Sequence, residues 1–256
     1  MEAKLEVELT PDEEEIKPSA GATITIIYDN NQYDRRLTPA WGFSCMVKVP
    51  EKTILFDTGG DGSILLGNMK KLGIRPSEID VIVLSHIHGD HTGGLKEFLR
   101  HNSQVTVYLP RSFPTRIKQD IGACGAEVKN VHEPGELFEG VFTTGELDGG
   151  IEEQSLLVKV SEMFCLITGC AHPGIINITK KTKETAGKEI YLAIGGFHLS
   201  GAFSSQISYI AESLRRLGLL RVAACHCSGD TARRLFNDYF GKDYINCGAG
   251  KEITIK

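Results

Sequence analysis

Four side chains that can bind metal ions lie within the six residues 86–91. They are His86, His88, Asp90 and His91, and they follow a short apolar run at 81–84. Imidazole nitrogens and a carboxylate oxygen form a ligand set that zinc, iron and manganese accept near neutral pH. Packing does not call for three histidines and an aspartate in so short a stretch, so this spacing predicts a metal site.

The spacing also indicates how many metal ions the site would hold. In an extended segment alternate side chains share a face, so His86, His88 and Asp90 would point one way and His91 the other. That arrangement suits two adjacent metal ions better than one. The alternative, a solvated histidine-rich loop without metal, is disfavoured by the density of ligands.

The ligands need a rigid element before them, and the apolar, β-branched run at 81–84 predicts a buried strand. Strand and helix patterns alternate in both halves of the chain, with no linker between them. This predicts a single α/β domain at 23–256. Two mixed sheets would face each other with helices on their outer sides, which makes a four-layer αβ/βα sandwich. The side chains that could bind metal fall at the carboxyl ends of strands, where open α/β sheets place their sites. Strands are predicted at 23–28, 43–49, 53–56, 81–84, 105–109, 156–160, 164–168, 190–194, 219–224, 244–246 and 252–255, with short strands within 127–143; helices are predicted at 63–72, 95–100, 113–121, 175–185, 204–217 and 231–240.

Composition sets limits on partners and location. The net charge is −5, which gives no electrostatic reason to expect binding to nucleic acid or to an anionic membrane. No apolar run approaches the length of a membrane span, and the acidic residues 1–22, an extension without assigned chemistry, lack the apolar core of a signal peptide. We therefore expect a cytoplasmic protein whose seven cysteines are mostly reduced thiols.

The motif H-x-H-x-D-H after a hydrophobic strand, followed by T-G-G-L at 92–95, resembles the signature of the metallo-β-lactamase superfamily. The resemblance implies the sandwich of that family and two divalent metal ions, with zinc first and iron or manganese as alternatives. L-F-D-T-G at 55–59 resembles the first motif of the superfamily, in which Asp57 would hold the ligand loop by hydrogen bonds rather than bind metal. His226, after a strand near the end of the chain, falls where the superfamily has its last histidine ligand.

Three positions depart from the usual pattern of the superfamily. Cys170 stands where most relatives have a bridging aspartate; it is either a thiolate ligand or a small buried residue packed behind the site. The histidine that usually precedes that strand is absent, so either His172 takes its place as a ligand or Glu153 contributes. His198, in G-G-F-H-L, would be a ligand, a general acid or a substrate contact.

The segments H-I-H-G-D-H-T-G-G-L, T-G-C-A-H-P-G-I, G-G-F-H-L and C-H-C-S-G together resemble one branch of the superfamily. This branch is the 7,8-dihydropterin-6-methyl-4-(β-D-ribofuranosyl)-aminobenzene-5′-phosphate synthase-like proteins, and the resemblance covers most of residues 23–256. It implies a transferase in which an aminobenzene ribotide attacks a dihydropterin diphosphate and pyrophosphate leaves.

The residues themselves favour a hydrolase that activates water against a phosphoester or a related ester of a small molecule. In this interpretation one metal is held by His86, His88 and His172, and the other by Asp90, His91 and His226. Asp90 and His198 would also act in catalysis, with His198 on the substrate face. Two further alternatives are a di-iron redox protein, although His88 stands where such relatives tend to have glutamate, and a non-catalytic metal-binding protein. The sequence does not decide whether the protein forms a homo-oligomer.

Overall fold

The computed structural model describes residues 21–255, and the prediction of an acidic extension falls almost wholly outside this range. Fifteen strands account for most of the framework. In chain order they are β1 Ala22–Tyr28, β2 Ser44–Lys48, β3 Thr53–Phe56, β4 Val81–Val83, β5 Thr106–Pro110, β6 Glu127–Val131, β7 Gly135–Phe138, β8 Val141–Thr143, β9 Leu147–Asp148, β10 Glu152–Glu153, β11 Leu156–Val160, β12 Met163–Thr168, β13 Ile190–Gly196, β14 Arg221–Cys225 and β15 Glu252–Ile255.

Seven α-helices lie between these strands in the described part of the chain. The second is a single turn within the H-x-H-x-D-H motif, and the others run from seven to thirteen residues. They are α1 Gly62–Leu72, α2 Gly89–Thr92, α3 Leu95–His101, α4 Thr115–Ala123, α5 Ile175–Ala186, α6 Ser204–Arg216 and α7 Gly229–Phe240.

The strands form two large mixed sheets and one small hairpin. The first sheet has the order β15-β1-β2-β3-β4-β5-β6, and the second has the order β14-β13-β12-β11-β8-β7. In the first sheet β3, β4, β5 and β6 pair in parallel, and in the second sheet β12, β13 and β14 do so. The remaining pairs in both sheets are antiparallel.

Alternation of apolar side chains along the strands builds the four layers. Ile54 of β3 and Leu156 of β11 face each other's sheet within one buried cluster. The next residues along, Leu55 and Leu157, face outward and pack against helices. Because side chains alternate across a strand, each sheet buries both of its faces. The helical residues that cover them include Leu65, Met69, Phe98 and Leu99 on the first sheet and Ile178, Ile207, Leu214 and Phe236 on the second.

The predicted αβ/βα sandwich is therefore confirmed, and most elements lie within one or two residues of their predicted bounds. One predicted strand was wrong, because 244–246 forms only an isolated bridge between Val222 and Tyr244. Strand β1 begins at Ala22, one residue before the predicted domain boundary, and Ala22 pairs with Ile255. None of the helices within 21–255 has both the length and the apolar character needed to cross a membrane.

Candidate metal centre

The side chains of the centre follow the carboxyl ends of parallel strands in both sheets. Because these ends meet at one edge of the sandwich, residues far apart in the chain come within contact distance. In the first sheet β3 leads to Asp57 and β4 to His86 and His88; in the second, β12 leads to Cys170 and His172, β13 to His198 and β14 to His226.

The expected extended conformation of 86–90 was wrong. The backbone turns at Gly89 into helix α2, in which the His88 carbonyl oxygen accepts hydrogen bonds from the backbone N–H groups of His91 and Thr92. The Thr92 hydroxyl also donates to that carbonyl, at 3.0 Å. This turn moves Asp90 away from His86 and His88 and places it beside His91 instead.

The potential ligands among the described residues form five overlapping groups of three. Two of these groups are His86, His88 and His172, and Asp90, His91 and His226; a further one joins Cys170 and His172 to the exposed His198. Within each group the potential ligand atoms all lie within 4.8 Å of one another. Cys170 lies between the groups, because its sulfur also forms a cluster with His86 and His91. The two ligand sets that the sequence suggested are thus two of the five groups, and the assignment of each metal ion stays a prediction.

Two buried nitrogens in these groups have no hydrogen-bond partner among the described residues, Nε2 of His172 and Nε2 of His226. His226 Nε2 is 3.4 Å from Asp90 Oδ2 but is not aligned for a hydrogen bond. A buried polar atom without a partner is costly, and a bound cation would satisfy a ring nitrogen. The residues present therefore fit divalent metal ions of the zinc, iron or manganese class.

Asp57 lies behind the ligands rather than among them. Its Oδ1 accepts a hydrogen bond from the Ser85 backbone N–H at 2.7 Å, and its Oδ2 accepts one from the Ser85 hydroxyl at 2.7 Å. Oδ2 also lies 2.7 Å from Nδ1 of His91. The carboxylate thus holds both the strand end and the ring of His91, as the first motif of the superfamily implied.

Glu153 is not placed to bind a metal ion. Its Oε1 accepts hydrogen bonds from the backbone N–H groups of Cys170 and Ala171, and its Oε2 accepts one from that of His172. Both oxygens are thereby directed at the turn after β12, and Glu153 belongs to none of the groups of three among the described residues. Of the two alternatives for the missing histidine, the geometry favours His172.

Charge and burial prepare His86, His172 and Asp90 for metal, whereas His91, although its burial would lower its pKa, has a raised pKa because of the charge of Asp57 and would lose a proton on binding metal. Burial lowers the pKa of His86, and the nearby imidazoles of His91 and His172 lower it further. Burial likewise lowers the pKa of His172 to about 4, with His198 adding to the effect. Burial would raise the pKa of Asp90, but its interaction with His226 and the charge of His91 lower it well below the usual range. Neutral imidazoles and an ionised carboxylate are the forms that bind metal.

Cys227 is a member of the centre that sequence reasoning did not single out. Its sulfur lies 3.3 Å from that of Cys170, whose sulfur in turn lies 3.2 Å from Nε2 of His91. Their hydrogen bond raises the pKa of Cys170 and lowers the pKa of Cys227 to about 4. The signal in the sequence was the pair of cysteines flanking His226 in C-H-C-S at a strand end.

Strained backbone is concentrated in the centre. Five non-glycine residues in the described part of the chain have positive φ, and four of them are Asp57, Ala171, His198 and His226, with φ between 47° and 59°. Each costs about 1–3 kcal/mol, so the surrounding contacts must hold it in place. For His226 those contacts include Asp29, whose Oδ2 accepts its backbone N–H at 3.2 Å, and Asn30, whose Oδ1 lies 3.1 Å from its Nδ1.

Two aromatic rings and one glycine shape the mouth of the centre. His198 is exposed, and its ring centroid lies 4.4 Å from that of His172. Trp41 is 56% exposed, and its ring centroid lies 5.0 Å from that of His226. Beneath them, a Cβ atom on Gly169 would collide with Ser85 Oγ, so glycine is required where the two sheets meet. His101 and His132 lie on the surface, as expected.

A family model described as the metallo-beta-lactamase superfamily matches residues 42–219. The chain belongs to this superfamily. Membership confirms the family that the H-x-H-x-D-H motif indicated and the prediction of a metallo-β-lactamase-fold enzyme. Divalent metal ions are the usual cofactors of this superfamily, which agrees with the donor groups described above.

Among curated proteins, this metallo-β-lactamase superfamily member is 31% identical to a 7,8-dihydropterin-6-methyl-4-(beta-D-ribofuranosyl)-aminobenzene-5′-phosphate synthase from Methanocaldococcus jannaschii. The alignment covers 84% of this chain and 91% of the synthase. The predicted resemblance to that branch is therefore confirmed.

Among solved structures, a metal-dependent hydrolase of the beta-lactamase superfamily matches with a TM-score of 0.77 and 27% identity. That match covers 91% of this chain and 98% of the hydrolase. A diphosphatase from the PhnP family matches with a TM-score of 0.63 and 16% identity, over 92% of this chain and 97% of the diphosphatase. At this identity the likeness shows the fold alone.

Proposed function

We propose that this protein is a metal-dependent hydrolase that uses two divalent ions to cleave a phosphoester or related ester of a small molecule. The observation that carries the proposal is the pairing of His86, His88 and His172 opposite Asp90, His91 and His226, with Cys170 between them. When bound there, two divalent ions would supply positive charge for phosphoryl oxygens and lower the pKa of water.

The side chains around these groups have separate roles in the proposal. The carboxylate of Asp90 is 24% exposed and reaches the mouth of the centre, where it can accept a proton from the attacking group. The exposed imidazole of His198 lies beside His172 and can give a proton to the departing oxygen. Asp57 and Glu153 hold ligand-bearing segments in place through hydrogen bonds to His91 and His172.

A second candidate is the transfer of a dihydropterin diphosphate to an aminobenzene ribotide with release of pyrophosphate. The similarity to the synthase favours it, and so does the exposed indole of Trp41 over the His226 ring. An aromatic surface at the mouth suits a planar heterocycle, because stacked rings gain about 0.5–1.5 kcal/mol beyond their buried area. Here the centre would bind the leaving diphosphate instead of activating water.

The test uses the full chain loaded anaerobically with zinc, ferrous iron or manganese. One reaction contains simple phosphodiesters and phosphomonoesters, and another contains the dihydropterin diphosphate together with the ribotide. Phosphoester turnover that is lost in His88→Ala but kept in His101→Ala supports the hydrolase. A pterin–ribotide product without phosphoester turnover supports the transferase.

If the protein binds metal but forms neither product, both candidates are overturned and a non-catalytic metal-binding protein remains. Cleavage of the dihydropterin diphosphate in the absence of the ribotide would identify that compound as a substrate of the hydrolase. His101 is a suitable control because it is exposed and lies at the end of α3, away from the ligand groups.

A further inference from the structure

We propose that Cys170 and Cys227 form a two-sulfur edge of the metal centre, with Cys227 as a ligand on the side of Asp90, His91 and His226. The inference rests on the proposed function, since it concerns the same centre. It makes the centre selective for zinc, ferrous iron and cobalt over magnesium and manganese, because thiolates prefer the softer ions.

The two sulfurs are placed together and aimed at the ligands. They lie 3.3 Å apart, and Cys170 Sγ is 3.2 Å from Nε2 of His91. The potential ligand atoms of Cys170, His226 and Cys227 lie within 4.8 Å of one another. One member of this set, Nε2 of His226, is buried and lacks a hydrogen-bond partner within the described residues. A cation among these three atoms would satisfy that nitrogen.

The backbone is built to keep the Cys227 sulfur at this position. A Cβ atom on Gly196 would lie 2.6 Å from Cys227 Sγ, so the strand end beside it must be glycine. The Cys227 carbonyl oxygen accepts hydrogen bonds from the backbone N–H groups of Leu199 and Ser200, at 3.2 and 3.1 Å. The strained backbone of His226, with φ of 47°, directly precedes it. Gly196 thus leaves room both for the Gly169 carbonyl oxygen, 2.4 Å from such a Cβ atom, and for the Cys227 sulfur.

Other buried cysteines in the protein show what a packing role looks like. Cys165 belongs to the apolar cluster between the two sheets and to none of the donor groups. Cys170 and Cys227, by contrast, are both buried, and they lie together in one donor group with His226. Placing two thiols against unpaired imidazoles creates a ligand set of sulfur and nitrogen, which is typical of zinc and iron sites.

The test replaces the metal with cobalt, because thiolate ligands give Co²⁺ a near-ultraviolet charge-transfer absorption that nitrogen and oxygen ligands do not. We use a Cys124→Ser background, since Cys124 is the exposed cysteine and could bind cobalt adventitiously. Cys170→Ser and Cys227→Ser should each lose roughly half of this absorption, and the double variant should lose all of it. Cys165→Ala is the matched buried control and should lose none.

The inference is overturned if cobalt gives its visible ligand-field bands without charge-transfer absorption, or if Cys227→Ser keeps the full absorption. In either case the metal centre of the proposed function stands. No bound cobalt at all would overturn both.

X-ray absorption of the zinc-loaded, unsubstituted protein gives a second reading that does not depend on folded variants. Two sulfur scatterers per protein at about 2.3 Å support the proposal, whereas a shell of nitrogen and oxygen alone, at about 2.0–2.1 Å, contradicts it.

Discussion

At the scale of the residue, Asp57 determines which nitrogen of His91 faces the centre. Its Oδ2 lies 2.7 Å from His91 Nδ1, so Nδ1 carries the proton. The lone pair of Nε2 is then free, and this atom points toward Cys170 Sγ, 3.2 Å away. A carboxylate of this kind fixes both the tautomer and the orientation of a metal-binding histidine.

We therefore expect Asp57→Asn to weaken metal binding by about 10–100-fold while the protein stays folded. The amide would direct an N–H group at one of the donors that now meet the carboxylate, Ser85 or His91. Competition with a chromogenic chelator measures the affinity, and Asp34→Asn, at a surface ion pair with Arg36, is the control. Unchanged affinity in Asp57→Asn would show that the ring of His91 is oriented by other contacts.

Trp41 provides a second prediction at this scale. Trp41→Ala should raise KM for a substrate with an aromatic ring about 2–10-fold, because stacking is worth about 0.5–1.5 kcal/mol. Trp41→Phe keeps an aromatic ring and should leave this KM nearly unchanged. A substrate without a ring should not respond to either change. Since Trp41 is the only tryptophan of the chain, its fluorescence reports binding directly in the unsubstituted protein. Identical KM changes for both kinds of substrate would exclude stacking.

At the scale of the element, the short apolar strands are what the sequence predicted best. β3 and β11 have the bounds that the apolar runs at 53–56 and 156–160 predicted, because each run ends abruptly in polar residues. Helix α2 was missed because its one turn is held by hydrogen bonds to His88 that no periodicity reveals. Cys227 and Asp29 were missed for a related reason, since their roles depend on contacts between distant segments.

Glu153 stabilises the turn between β12 and α5, which carries Cys170 and His172. Three backbone N–H groups donate to its buried carboxylate. Glu153→Gln should lower the free energy of unfolding by about 1–3 kcal/mol, because the amide group has one acceptor oxygen instead of two and its NH2 group would face a backbone N–H that loses its partner. Urea unfolding measures the change. The neighbouring Glu152→Gln, which removes a charge but none of these hydrogen bonds, should have little effect; an equal loss in both variants would contradict the argument.

At the scale of the whole molecule, the centre joins the two sheets. His86, His88 and His91 come from the first sheet, and Cys170, His172 and His226 come from the second. Polar contacts also join the two sheets here, among them the hydrogen bond from Gln154 Nε2 to the Leu84 carbonyl oxygen at 2.8 Å and the hydrogen bond from the His226 backbone N–H to Asp29 Oδ2 at 3.2 Å. Metal ions with ligands from both sheets would therefore hold the two halves of the sandwich together.

Removal of metal should accordingly lower the melting temperature of the protein, and return of zinc should restore it. A ligand at 1,000 times its Kd stabilises the folded state by about 4 kcal/mol, which is several degrees in Tm for a chain of this size. Thermal melts with and without chelator measure the shift. In His88→Ala the shift in Tm should be smaller, since one group of ligands is incomplete. A Tm that is the same with and without chelator would contradict a metal bridge between the sheets.

The contact between Asp29 and His226 also has a consequence for how the protein is made. The two residues are 197 positions apart, and the hydrogen bond between them joins the first strand to the last ligand. On the ribosome, His86 to His91 emerge long before His226 is synthesised, so the growing chain offers an incoming metal ion only part of its ligands. Because pairing of such distant segments is slow, we expect the completed centre to form late in folding. Selection among metal ions would then fall in the last stage of folding, when the ligands of both sheets have come together.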